Sequence, residues 1–149
     1  MRETQYVFEW STPLEHYAAE AFVVRCFDDR FWKAFKSFLK ARGFKHIDPE
    51  SVAGGAKIFS SPEKESDRDF MLRELEKSIR LHRTKKVMLF THHDCGAYGG
   101  FGKFNNDRDA ELAFHAREHK KAADVVRPRF PDTAIESYFM DDQGIIRTS

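Results

Sequence analysis

The chain has 149 residues, with Lys+Arg 25 against Asp+Glu 24 and a formal net charge of +1, so no global field points to nucleic acid or to an acidic membrane as partner. A chain of this length can bury most of its apolar surface, and one domain over residues 1–149 is the expectation. No apolar run reaches the length that spans a bilayer and Met1-Arg2-Glu3-Thr4 does not open a secretory signal, which points to a cytoplasmic protein with no membrane or nucleic-acid partner.

In chain order, Tyr6-Val7-Phe8-Glu9-Trp10 reads as an edge strand or as an arm that packs on another subunit, ended by Pro13. Ala21 to Cys26 reads as a first strand, with β-branched residues at its centre. Asp28-Asp29 supplies capping chemistry for a helix over Arg30 to Arg42, stopped by Gly43, whose apolar face is Phe31, Ala34, Phe35, Phe38 and Leu39. Phe44 to Ile47 reads as a short second strand closed by Asp48-Pro49. Ser51 to Lys57 is a loop of small residues or a strand end where another backbone or a ligand can come close. A second helix runs over Asp67 to Arg83 with Met71, Leu72, Leu75 and Ile79 inward. Lys86 to Thr91 is a third strand, followed by glycines at positions 96, 99, 100 and 102. A third helix covers Asp107 to Arg127, ended by Pro128. Ala134 to Met140 is a fourth strand, and Ile145-Ile146-Arg147 adds a short fifth after the Asp141-to-Gly144 turn.

Strand and helix in alternation predict an α/β fold: a mostly parallel sheet of four to five strands, order 2-1-3-4, with helices on both faces. The switch point then falls between the first and third strands. Cys26 ends one of these and His92 the other, so both project from neighbouring carboxyl ends.

The chain contains two cysteines, Cys26 and Cys95. In a reducing compartment such residues serve as metal ligands, as catalytic groups or as buried apolar side chains. Cys26, His92 and Cys95 together offer two thiolates and an imidazole, a set that suits zinc and leaves a fourth position open. Zinc in such a site lowers the pKa of a bound water to about 7, so metal-bound hydroxide is available near neutral pH.

Cys26-x-Asp28-x-Arg30 with His92-x-x-Cys95-Gly96 resembles the paired signature of the β-class carbonic anhydrases. The resemblance implies zinc on Cys26, His92 and Cys95, reversible hydration of carbon dioxide to bicarbonate, and a homodimer or larger homo-oligomer. It assigns the catalytic positions to Asp28 and Arg30. A guanidinium holds a carboxylate through two parallel hydrogen bonds, so Arg30 would keep Asp28 ionised and aimed at the hydroxide. Ala53-Gly54-Gly55 resembles the small-residue segment that lines the family's pocket. Asp29 stands where the family often has serine, and the Arg-Asn pair that commonly precedes the small-residue segment is replaced by Ser51-Val52. The resemblance also admits a hydrolase of carbonyl sulfide or carbon disulfide, or a non-catalytic zinc protein of the same fold.

Between the ligands, Asp94 is placed to orient His92 or a backbone amide, and His93 to stand at the rim or to carry protons. His115-x-x-Glu118-His119 matches the pattern of inverted zinc proteases. No protease scaffold accompanies it, and the expectation is a charged, exposed helix face. The glycines after Cys95 do not form a phosphate loop, because Ala97 and Phe104 stand where that motif needs glycine and a hydroxyl residue.

Overall fold

The computed structural model describes residues 3–149. In chain order it forms β1 (Ala21–Arg25), a 3₁₀ turn at Asp29–Phe31, α1 (Trp32–Ala41), β2 (Ile47–Ser51), α2 (Lys57–Ser60) and α3 (Glu65–His82). β3 (Lys86–His92) follows, then 3₁₀ turns at Gly96–Tyr98 and Phe101–Phe104, α4 (Arg108–Val126), β4 (Ala134–Asp141) and β5 (Gly144–Arg147). The five strands form one sheet in the order β2-β1-β3-β4-β5. All neighbours are parallel except β4 and β5, which pair antiparallel around the Asp141-to-Gly144 turn.

Alternation along the central strands divides the core. Phe22, Val24, Val87 and Leu89 face one side with Phe59, Met71, Leu75, Ala122 and Val126 from α2, α3 and α4. Ala21, Val23, Met88, Phe90, Tyr138 and Met140 face the other with Phe31, Phe35 and Leu39 on and just before α1. Each fully buried side chain of this size contributes roughly 1.5–3 kcal/mol through removal from water. The expected sheet and its two helical layers are therefore present, because the apolar runs of β1 and β3 are buried on both faces.

Local chemistry sets the helix ends. Asp107 caps α4 by accepting from the backbone N–H groups of Asp109 and Ala110. Arg83 ends α3 in the left-handed conformation, φ 53°. Gly43 follows α1 at φ 76°.

Three expectations need correction. The second strand lies at Ile47–Ser51 and runs through Asp48-Pro49, which had been read as its end. It is the edge of the sheet, where proline's missing N–H leaves no ladder bond unmade on the outer side. Asp48 is tied to Tyr17, Ser78 and His82 at 2.6–2.7 Å, which docks this edge on α3. Tyr6 to Trp10 forms no strand, and its side chains stand exposed. His115, Glu118 and His119 are buried, not displayed on an outer face. No helix of the described residues is long and apolar enough to cross a membrane.

Candidate metal centre

The site is built at the switch point. α1 crosses from β1 to the edge strand on one face, and α3 returns to β3 on the other, so the carboxyl ends of β1 and β3 open side by side. Cys26 is the residue after β1 and His92 is the last residue of β3. Gly55 allows the small-residue loop to press between them. Its φ is 57°, and a Cβ there would lie 2.3 Å from the Phe90 carbonyl oxygen and 2.8 Å from the Cys26 nitrogen. Ala56 N donates to that carbonyl at 3.1 Å and Val52 N to Arg25 O at 2.9 Å, which seals the loop to both strands.

Cys26, His92 and Cys95 come together, buried, with their donor atoms all within 4.8 Å of one another. His92 is fully buried against Phe31, ring centroids 4.6 Å apart. Its Nδ1 lies 2.7 Å from the His93 carbonyl. A carbonyl only accepts, so Nδ1 carries the hydrogen and the lone pair falls on Nε2. Nε2 is buried and has no hydrogen-bond partner. A buried imidazole nitrogen with a free lone pair beside two buried sulfurs is the donor set of a soft or borderline cation. The residues fit a zinc ion.

The electrostatics agree. The Cys26 thiol is drawn well below the ordinary thiol range, foremost by the hydrogen bond from Cys95 and secondly by His92, against the opposing effect of burial. Cys95 is pushed up, first by Cys26 and then by burial. Of the two sulfurs, Cys26 is therefore the one whose proton is the more readily lost. Burial works against a charged His92, but Cys26 and the His93 carbonyl outweigh it and move that group upward.

Asp28 stands beside this cluster, Oδ2 lying 3.8 Å from His92 Nε2. Arg30 grips it: Nε reaches both carboxylate oxygens at 3.1 and 3.2 Å, and NH2 reaches Oδ2 at 2.8 Å. That guanidinium, with the Arg30 backbone N–H, lowers the Asp28 carboxyl to about 2. Arg30 also bonds the Asp94 side chain and carbonyl, both at 3.1 Å. Asp94 makes no hydrogen bond to the His92 ring; its Oδ1 accepts from the Phe101 backbone at 2.8 Å and pins the glycine-rich segment. His93 turns away to Glu111, 2.6 Å from its Nδ1, and packs edge-on to Phe101.

A cavity of about 550 Å³ opens over Cys26 and Asp28, with Val52, Ala53, Ile58 and Ala97 among its walls and Lys57, Glu63 and Asp67 around it. Tyr98, from the glycine-rich segment, is buried behind Cys95 and joined to Ser60 and Glu118. His115, Glu118 and His119 form no second metal cluster among the described residues. Glu118 accepts from Ser60, Ser61, Tyr98 and Lys121, and His119 bridges Thr91 and Thr148.

A family model described as "Putative carbonic anhydrase" matches residues 18–148. An uncharacterized protein of Rickettsia conorii is 24% identical over 132 residues, covering 86% of this chain and 70% of that one. Among solved structures, a β-carbonic anhydrase of Trichomonas vaginalis has a TM-score of 0.62 at 16% identity, covering 94% of this chain and 87% of its own. A tetrameric β-carbonic anhydrase of Sordaria macrospora follows at 0.58 and 12%, covering 88% and 81%. A carbon disulfide hydrolase has 0.57 and 15%, covering 90% and 80%.

Proposed function

The chain belongs to the carbonic anhydrase family that this model describes, and from that premise we propose that it hydrates carbon dioxide reversibly to bicarbonate and a proton, with zinc on Cys26, His92 and Cys95. The observation that carries the proposal is the convergence of those three donors beside a carboxylate locked by arginine. Zinc in a site with one open position supplies a nucleophilic oxygen near neutral pH, since it lowers the pKa of water to about 7.

The chain's own residues do the rest. Asp28 stays ionised over the working pH range and can only accept a hydrogen bond. It would therefore accept a hydrogen bond from a hydroxyl group at the site and so direct that oxygen's lone pair toward the cavity. Arg30 keeps Asp28 from rotating out of that direction. Val52, Ala53, Ile58 and Ala97 offer an apolar wall against which a linear, uncharged triatomic substrate rests. The same wall suits the larger sulfur atoms of carbonyl sulfide or carbon disulfide, which is the second reading. A homodimer or larger homo-oligomer completes the proposal, supported by the unburied aromatic arm that precedes the family-matched residues.

Stopped-flow carbon dioxide hydration, on protein of measured zinc content and across pH, tests the activity. Saturable hydration that scales with zinc is expected. Full zinc occupancy with no hydration at any pH rejects it, and sulfide release from carbon disulfide by the same sample then selects the second reading. Cys95→Ser is expected to abolish tight zinc binding, and unchanged stoichiometry would reject the ligand set.

A further inference from the structure

Glu111 lies in the first turn of α4 and is 1% exposed. An acid suits the positive end of a helix without being buried. This one turns both carboxylate oxygens onto the loop between His92 and Cys95. Oε2 accepts from Asp94 N at 2.9 Å, and Oε1 lies 2.6 Å from His93 Nδ1.

The N–H of Asp94 and the carbonyl of His93 belong to one planar peptide unit. That carbonyl is the acceptor for His92 Nδ1 at 2.7 Å. The groups therefore run in one line: the Glu111 carboxylate, the 93–94 peptide, the His92 imidazole, and Nε2 among the two sulfurs. We infer that Glu111 is a positioning residue of the metal site, its carboxylate fixing the tautomer and ring orientation of His92 through the intervening peptide. The inference rests on the zinc proposal above.

The physical basis is the one that operates when a carboxylate bonds a ligating imidazole directly. The bond holds the hydrogen on the outer nitrogen and makes the inner nitrogen a better donor. Here a peptide stands between the two, and a hydrogen bond to its N–H polarises its carbonyl in the same sense. Glu111 also restrains the backbone. Asp94 has φ 58°, a left-handed conformation that residues other than glycine seldom adopt without local hydrogen bonds to hold it. It is held there by Glu111 at its N–H, Phe101 at Oδ1, and Arg30 at Oδ2 and the carbonyl. Arg30 in turn holds Asp28. One buried carboxylate thus steadies the histidine ligand and, through Asp94, the group that aims the reacting oxygen.

Glu111→Gln keeps the shape and removes the charge. Zinc affinity is measured by competition with a chromophoric chelator, and the His92 imidazole is followed by ¹⁵N NMR of the zinc-loaded protein. The expected result is a zinc affinity about 10–100-fold weaker, with a shifted His92 Nδ1–H resonance. Glu136→Gln removes another buried carboxylate, one that bonds Tyr138, Arg42 and Lys86. It should lower Tm while leaving zinc affinity within about twofold. A Glu111→Gln protein that binds zinc as tightly as the parent, with His92 unshifted, overturns the inference alone. A parent that binds no zinc overturns it together with the zinc proposal. If the variant does not fold, the zinc-loaded parent decides: a slowly exchanging Nδ1–H on His92 is required, and a fast-exchanging proton or an Nε2–H tautomer overturns the inference.

Discussion

Arg30 reaches both oxygens of Asp28 as well as the side chain and carbonyl of Asp94. Only a planar fork of donors satisfies those acceptors together, and a lysine ammonium cannot reproduce it. Arg30→Lys should therefore bind zinc in unchanged stoichiometry while kcat falls about tenfold or more, as a misdirected catalytic group does. Metal content and steady-state hydration measured on one sample check this, and an unchanged kcat would remove the Asp28–Arg30 pair from the mechanism. Gly55 acts by what it lacks. A Cβ on it would meet the Phe90 carbonyl at 2.3 Å and the Cys26 nitrogen at 2.8 Å, both of them backbone atoms that side-chain rotation cannot move. Overpacking of this kind costs about 1–3 kcal/mol, and the left-handed φ of 57° adds about 1–2 kcal/mol for alanine. Gly55→Ala should lower the urea midpoint and weaken zinc binding in parallel, because the atoms displaced belong to the strand ends that carry Cys26 and His92. A variant with normal zinc affinity and a normal midpoint would contradict that coupling.

At the scale of elements, α4 carries buried histidines that a water-facing helix would not bury. His115 is fully buried among Tyr98, Phe114 and Phe139, with neither ring nitrogen hydrogen-bonded. Burial first, and His119 second, depress it to about 3; burial depresses His119 to about 4. In the unfolded chain each titrates near 6.5. Between those values the unfolded state binds protons that the folded state refuses, so stability rises with pH and is lost as pH falls from about 6.5 toward 3. The slope is at most about 1.4 kcal/mol per pH unit for each histidine. His115→Leu removes one such group and its unpaired nitrogens, so urea unfolding between pH 7 and 5 should show a shallower loss and a midpoint above the parent's at pH 5. Both proteins are compared with chelator present, so that metal release does not enter, and equal slopes would count against the assignment. The sequence shows the histidines but not their burial. Alternating charges suggest a solvated face, and the partners that make burial tolerable come from distant segments: Ser60, Ser61 and Tyr98 for Glu118, Thr91 and Thr148 for His119. Glu111 is hidden for the same reason, being one acid among several in α4 until the fold brings it to Asp94. β1 and β3 are legible because their signal is local, a short apolar run ending in polar residues. β2 is displaced in the sequence reading because Pro49 signals a stop, and only its place at the sheet edge permits a proline.

At the scale of the whole molecule, the sheet and its helices account for the chain from Ala21 to Arg147, while residues 3–16 are exposed throughout and form neither helix nor strand. This arm carries Tyr6, Val7, Phe8, Trp10 and Leu14, each at least 70% exposed, and Phe8 stacks on Trp10 with ring centroids 6.2 Å apart. Aromatic side chains bury about 150–250 Å² each when covered, so leaving several of them in water opposes solubility and favours association. The near-balance of charge puts no strong repulsion between copies. Tyr17 fixes the root of the arm by bonding Asp48 at 2.7 Å, stacking on His46 and packing at a tilt against His82, so the arm leaves the body from a set position. Under the homo-oligomer proposed above, a second copy of the chain would cover this arm. Removal of residues 1–16 leaves the Tyr17 anchor and the core intact. The truncated protein should therefore melt as a folded unit and sediment as a smaller species than the full chain. The paired substitution Phe8→Ala and Trp10→Ala should weaken self-association by about 100-fold or more, since buried aromatic anchors contribute about 2 kcal/mol or more each at interfaces. Sedimentation velocity across a dilution series reads both effects. A full-length chain that sediments as a monomer at every concentration would refute the oligomer, and an unchanged association constant in the double variant would show that the arm is not what joins the copies.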